Sequence, residues 1–127
     1  MKTPNWILSV AALCGALSVL TGAFAAHGLK AVLSSQQLGW IETGVLYQHV
    51  HSLALLALGL AVWAKGEMAF KSTAICWILG ILLFSGSLYA LALSGWRFLV
   101  FLTPIGGLSF VAGWLLLAKN AAQQGKA

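Results

Sequence analysis

Aspartate is absent from this chain of 127 residues, and glutamate occurs only at positions 42 and 67. Charged residues make up 7% of the total. A soluble domain carries about 25%, so a water-facing surface cannot be assembled from this sequence. Without aspartate there is no Ser-His-Asp arrangement, and no glycine-rich phosphate loop occurs. Charge runs are missing too. The net charge of +5 comes from seven scattered Lys and Arg, with no basic patch and no interleaved aromatic stripe, which argues against nucleic acid as a partner. Cysteine is scarce: Cys14 and Cys76 each fall inside an apolar run and read as small hydrophobic side chains, not as a disulfide framework. His49 and His51 stand about 200° apart round a helix and cannot share one metal ion, so no metal or other cofactor is expected.

What is abundant is hydrocarbon. Hydrophobic residues reach 61%, gathered into four runs: Trp6 to Ala26, about Val45 to Ala64, Thr73 to Ser94, and Phe98 to Leu117. Each is roughly 20 residues, the length that crosses a ~30 Å hydrocarbon core as α-helix. None alternates as a membrane β-strand would. The expected fold is all-α, a polytopic membrane protein forming one four-transmembrane-helix bundle over residues 1–127, with helices about 6–26, 35–64, 72–94 and 98–118. Short connections make neighbours pack mostly antiparallel. Lys2 followed by an apolar stretch and Ala23-Phe24-Ala25 has the outline of a secretory signal, but the run exceeds the usual core of about 7–15 residues and reads as an uncleaved helix.

Lys2, Lys65, Lys71, Lys119 and Lys126 lie on one side of this arrangement, and Lys30 and Arg97 on the other. The positive-inside rule then places both termini in the cytoplasm. A reporter fused after Ala127 is expected to give cytoplasmic-type activity, and periplasmic-type activity there rejects the topology. Trp6, Trp63, Trp77 and Trp114 are expected near the cytoplasmic interface, Trp40 and Trp96 near the outer one. Ser34-x-x-Gln37 reads as a capping box that starts the second helix before its membrane portion. Small-residue rows predict close helix contact: Ser18, Gly22 and Ala26; Gly86, Ala90 and Ser94; Ser109 and Gly113.

The second helix opens with polar side chains. Tyr47, Gln48, His51 and Ser52 fan over about 140° of its surface, with Glu42 and His49 completing that side. An ionisable group facing lipid is costly, so this side should face other helices. Candidate partners sit at the outer ends: His27 beside Gly28, a candidate left-handed cap; Arg97 in the outer loop; and Ser85 and Tyr89 on the third helix. Glu42 is expected to pair with Arg97 or His27. At Thr103-Pro104-Ile105-Gly106-Gly107 the fourth helix either restarts below the outer surface, with free amides toward the cluster, or is kinked by Pro104 and packed by its glycines.

The stretches LTGAFAAHGLK, ETGVLYQHVHSLALL, LFSGSLYALALSG and TPIGGLSFVAGWLLL, in that order, resemble a small membrane-protein family known as domain of unknown function 423, which is similar to eukaryotic transmembrane protein 256. The motif positions are Gly22, His27, Gly28, Glu42, Tyr47, Gln48, His51, Ser85, Gly86, Ser87, Tyr89, Thr103, Pro104, Gly106, Gly107, Gly113 and Trp114. His49 departs from the pattern, which has an apolar or aromatic residue there. The resemblance implies four transmembrane helices in a bacterial plasma (inner) membrane and no assigned activity.

The expected function is that of a non-enzymatic integral membrane protein. Its outer polar cluster (His27, Glu42, Tyr47, Gln48, His51, Tyr89, Arg97 and Thr103) holds the helices and offers a place for a small polar ligand, a lipid headgroup or a partner. Beyond the lipid bilayer, a homo-oligomer or another membrane protein are the candidate partners. The alternative is a small oligomeric transporter or channel using His27, Glu42 and His51 as polar or proton-relay groups. Against it, Ile7 to Leu13 and Leu53 to Val62 offer almost no polar lining on the inner side.

Overall fold

Asn5 starts the first helix and also ties it to the second. Its Oδ1 accepts from the Leu8 amide at 3.1 Å, and its Nδ2 donates to Gly59 O at 2.8 Å. In this computed structural model, which describes residues 4–65 and 70–124, five helices follow in order. They are α1 (Trp6–Ala26), α2 (Ser35–Lys65), α3 (Lys71–Gly80), α4 (Gly86–Ser94) and α5 (Leu102–Gln124). A π-helical turn, Ile81–Ser85, joins α3 and α4 into one span, and 3-10 turns occupy Leu29–Ala31 and Arg97–Phe101. Four segments are therefore long and apolar enough to cross a membrane: 6–31, 35–65, 71–94 and 97–123. Lys2, Lys126 and residues 66–69, on which part of the expected topology rests, lie outside the described residues.

The capping box forms. Ser34 N donates to Gln37 Oε1 at 2.8 Å, and Gln37 N donates to Ser34 Oγ at 3.2 Å. Gln37 also reaches across with Nε2 to Ala92 O at 2.9 Å, so the cap of α2 grips the end of α4. Ser34→Ala is expected to cost about 1 kcal/mol, read as a lower melting temperature in detergent. An unchanged melting temperature would contradict the cap. The left-handed cap lies elsewhere than expected. Gly28 is right-handed at φ −67°, whereas Gly95 at φ +71° ends α4, its amide donating to Leu91 O at 2.8 Å. After Gly28 the chain continues into a 3-10 turn, which has no use for a reversal.

Backbones approach most closely in two pairs, α1 with α2 and the third span with α5, and α2 bridges the pairs through α4. Glycines make these approaches. A Cβ on Gly59 would stand 2.8 Å from Leu8 Cα, and one on Gly106 would meet the backbone of Leu83 and Phe84. Of the expected small-residue rows, Ser18 and Gly22 do face α2, and Ser109 and Gly113 do face the third span, where Ser109 Oγ donates to Cys76 O at 2.7 Å. The Gly86, Ala90 and Ser94 row does not make the third span's close contact: Gly80, packed on Phe110, does. The core runs between Ile7, Leu55, Leu58, Ala74, Trp77 and Phe110. Trp77 is thus no interface anchor; it is 1% exposed and packs at a tilt on Trp114 with ring centroids 4.5 Å apart.

Candidate functional site

A helix turns 100° per residue, and the polar residues of α2 occupy more arc than one neighbour can cover. Tyr47 and His51 point within about 40° of each other, Gln48 and Ser52 form a second pair, and Glu42 and His49 a third, the whole spanning about 220°. Their environments cut across these pairs: Gln48, His51 and Ser52 are buried, Tyr47 is 41% exposed, and Glu42 and His49 lie on the exposed surface. The expectation that this side faces other helices is met by Tyr47, Gln48, His49 and His51, each of which touches a neighbouring helix, and not by Glu42.

Gln48 is the hub. Its Nε2 donates to Cys14 O of α1 at 2.9 Å, and its Oε1 accepts from Tyr89 Oη of α4 at 2.6 Å. One amide thus joins three helices. The backbone carbonyl can only accept, so the amide orientation is fixed by its partners. Gly44, one turn earlier, lets the Tyr89 ring lie against the α2 backbone, and Ser85 Oγ of the π turn donates to Gly44 O at 2.7 Å. Ser52 Oγ closes the same face by donating to Gln48 O at 2.6 Å.

His51 sits in an aromatic enclosure. Phe110 stacks on it at 3.7 Å, and Trp77 and Trp114 approach edge-on at 6.0 and 5.9 Å. Tyr47 packs on Phe84 at 4.6 Å beside it. Trp114 Nε1 donates to His51 Nε2 at 3.0 Å, while Nδ1 lies 2.8 Å from Tyr47 O. An indole N–H only donates and a carbonyl only accepts, so the ring is the neutral tautomer with its proton on Nδ1. These contacts put His51 level with Trp77 and Trp114, so the cluster extends into the middle of the bundle and is not confined to its outer half.

Thr103 joins the third span to α5. Its Oγ1 is 2.6 Å from Ser87 Oγ, and Gly106 lies one turn further along against the π turn. Neither reading of the TPIGG stretch holds as stated: the 3-10 turn Arg97–Phe101 runs directly into α5 at Leu102, with Pro104 in its first turn, where no amide is needed, and Gly106 packs on the third span. The Leu102 amide is nevertheless taken by Leu99 O of the preceding 3-10 turn and is not free to hold a ligand.

The remaining candidates do not converge. His27, Glu42 and Arg97 are exposed at the outer ends of their segments, and among the described residues none joins an ion pair, so the expected pairing of Glu42 with Arg97 or His27 is not made. His51 is buried away from His27 and Glu42, and the three do not form a chain. His49 points to α1, its Nδ1 3.1 Å from Ser18 Oγ, a side chain with no exposure. Sequence reasoning missed Asn5, the acceptor role of Cys14 O and the contact of Ser18, placed only in a packing row, with His49. Asn5 directly before an apolar run was a readable cap signal; the carbonyl carries none.

Comparison with known proteins agrees with the resemblance. The profile of a family described as protein of unknown function (DUF423) matches residues 21–107. A UPF0382 membrane protein of Haemophilus influenzae is 47% identical over 114 residues, covering 90% of this chain and 91% of that protein. The UPF0382 inner membrane protein YgdD of Escherichia coli K12 is 44% identical, covering 94% and 91%. A UPF0382 membrane protein of Staphylococcus haemolyticus is 46% identical, covering 84% and 86%. No solved structure matches the chain.

Proposed function

The chain belongs to the DUF423 family, and from that premise we propose that it is a non-enzymatic, multi-pass protein of the bacterial inner membrane. In this reading the network of Gln48, Tyr89, His51 and Trp114, buried at Gln48 and His51, is scaffold, and binding belongs to the exposed outer surface. The observation that carries it is the engagement of both ends of the Gln48 amide and both ring nitrogens of His51 by groups of the bundle itself. His51 Nε2, the one nitrogen able to act as a base, is occupied by the Trp114 indole. Bonded so, that nitrogen has no lone pair left to take a proton from a substrate.

His51→Leu separates scaffold from ligand site. As scaffold, its loss leaves the Trp114 N–H without its acceptor, and the melting temperature in ligand-free detergent falls by the equivalent of about 1 kcal/mol. A site kept polar for a ligand is poorly satisfied without it, and the same change would then raise the melting temperature. A rise overturns the reading.

A further inference from the structure

An open groove of about 390 Å³ runs between α1 and α2 near their outer ends. Gly22, Ala25 and Ala26 form its α1 side, and Glu42, Val45 and His49 its α2 side. Glu42 is at the mouth. His49 lies seven residues deeper, about 10 Å at 1.5 Å per residue, and is held by Ser18. The lining is otherwise apolar, so in a bilayer the groove would set one carboxylate among side chains suited to lipid. His27 directly follows Ala26, and Lys30 lies on the 3-10 turn beyond, both exposed at that same end. Two basic residues thus follow directly on the α1 wall of the groove, although neither lines it.

We propose that this groove binds one phospholipid with a primary ammonium headgroup, the ammonium on Glu42, the phosphate toward His27 and Lys30, and an acyl chain along Val45 and the small residues of α1. The inference deepens the reading that binding belongs to the outer surface, and rests on it. A primary ammonium donates hydrogen bonds to a carboxylate, which makes the contact charge-assisted. A quaternary ammonium of choline type has no N–H to donate, and an uncharged glycerol headgroup brings no cation for Glu42. The volume suits a single chain and not a whole helix, which sets lipid ahead of a partner segment.

The test uses the full chain in nanodiscs holding equal amounts of phosphatidylethanolamine, phosphatidylcholine and phosphatidylglycerol with matched acyl chains. Native mass spectrometry then reads the lipids retained on release. Phosphatidylethanolamine is expected to exceed phosphatidylcholine by roughly fivefold, the effect of one partly exposed ion pair. Glu42→Gln should bring that ratio near one while its melting temperature in lipid-free detergent stays unchanged. Ala26→Leu, which fills the groove and keeps the carboxylate, should reduce retention of the ethanolamine lipid. Equal retention of the three lipids, a preference for phosphatidylglycerol, or a preference that survives Glu42→Gln overturns the proposal. So does a dimer that Glu42→Gln dissolves, which would assign the groove to a second copy. The His51→Leu result bears only on the scaffold, so the two readings fail separately.

Discussion

Gly106→Ala is expected to destabilise the bundle by about 2 kcal/mol or more, whereas Gly107→Ala, one residue away, is expected to be neutral or stabilising. A Cβ on Gly106 would press on the amide nitrogen of Phe84 and stand 2.8 Å from Leu83 C and Phe84 Cα. These are backbone atoms, so no rotamer change relieves the contact, and α5 must move off the third span. A Cβ on Gly107 meets only the Phe84 ring, at 3.8 Å, an ordinary van der Waals distance. Both substitutions gain about 1 kcal/mol of helix propensity, which cancels when the two are compared. The difference in melting temperature between the two variants in detergent therefore reads the packing alone. Equal melting temperatures would mean that α5 does not cross the third span at Gly106.

That crossing also accounts for a feature no sequence pattern announced. The π turn at Ile81–Ser85 is built from four ordinary apolar residues and one buried serine, and it lies where Gly106 brings the α5 backbone against Leu83 and Phe84. A π turn leaves the i→i−4 ladder for a few residues, which re-aims the side chains after it. Here it is followed by Ser87 facing Thr103 and Tyr89 facing Gln48. The local irregularity of the third span and the polar contacts of the site are one arrangement.

The four spans were legible because length and apolarity alone define a membrane helix. The capping box at Ser34 and Gln37 was legible because both side chains act on local backbone. Which face of each helix packs was much less so. Lipid tails are as apolar as a protein core, so hydrophobicity marks no inward side within the membrane, and only small and polar residues do. Gln48, His51, Tyr89 and Thr103 carried that mark and proved to be bonded across helices. Glu42, His27 and Arg97 carried it as well, but near the ends of spans a polar residue has polar surroundings available and needs no partner in the chain. Trp77 and Trp114 were read as interface anchors by their nearness to Lys71 and Lys119. α2 is long enough that His51, well inside it, meets them in the middle of the bundle. Tertiary level, unlike span length, depends on how far each helix overhangs the membrane, and no local signal encodes it.

Gln48→Leu carries the largest expected loss among the polar positions, because one side chain makes two interhelical bonds. Such bonds in membrane proteins average about 0.6 kcal/mol and reach roughly 1.7, so the pair should contribute about 1–3 kcal/mol. The loss is unequal at the two ends. Cys14 O lies inside α1, where it keeps its own helical amide, so little is forfeited there. The Tyr89 hydroxyl loses the acceptor it now reaches at 2.6 Å in a part-buried setting. Tyr89→Phe removes that hydroxyl from the outset. In the Tyr89→Phe background, Gln48→Leu should then cost less than it does in the wild type, and the double-mutant cycle isolates the bond between them. Thermal unfolding of the four proteins in ligand-free detergent supplies the numbers. A coupling near zero would show that the two side chains are not partners. A Gln48→Leu protein that melts higher than the wild type would mark the amide as a ligand group left waiting, and the buried network would cease to be scaffold.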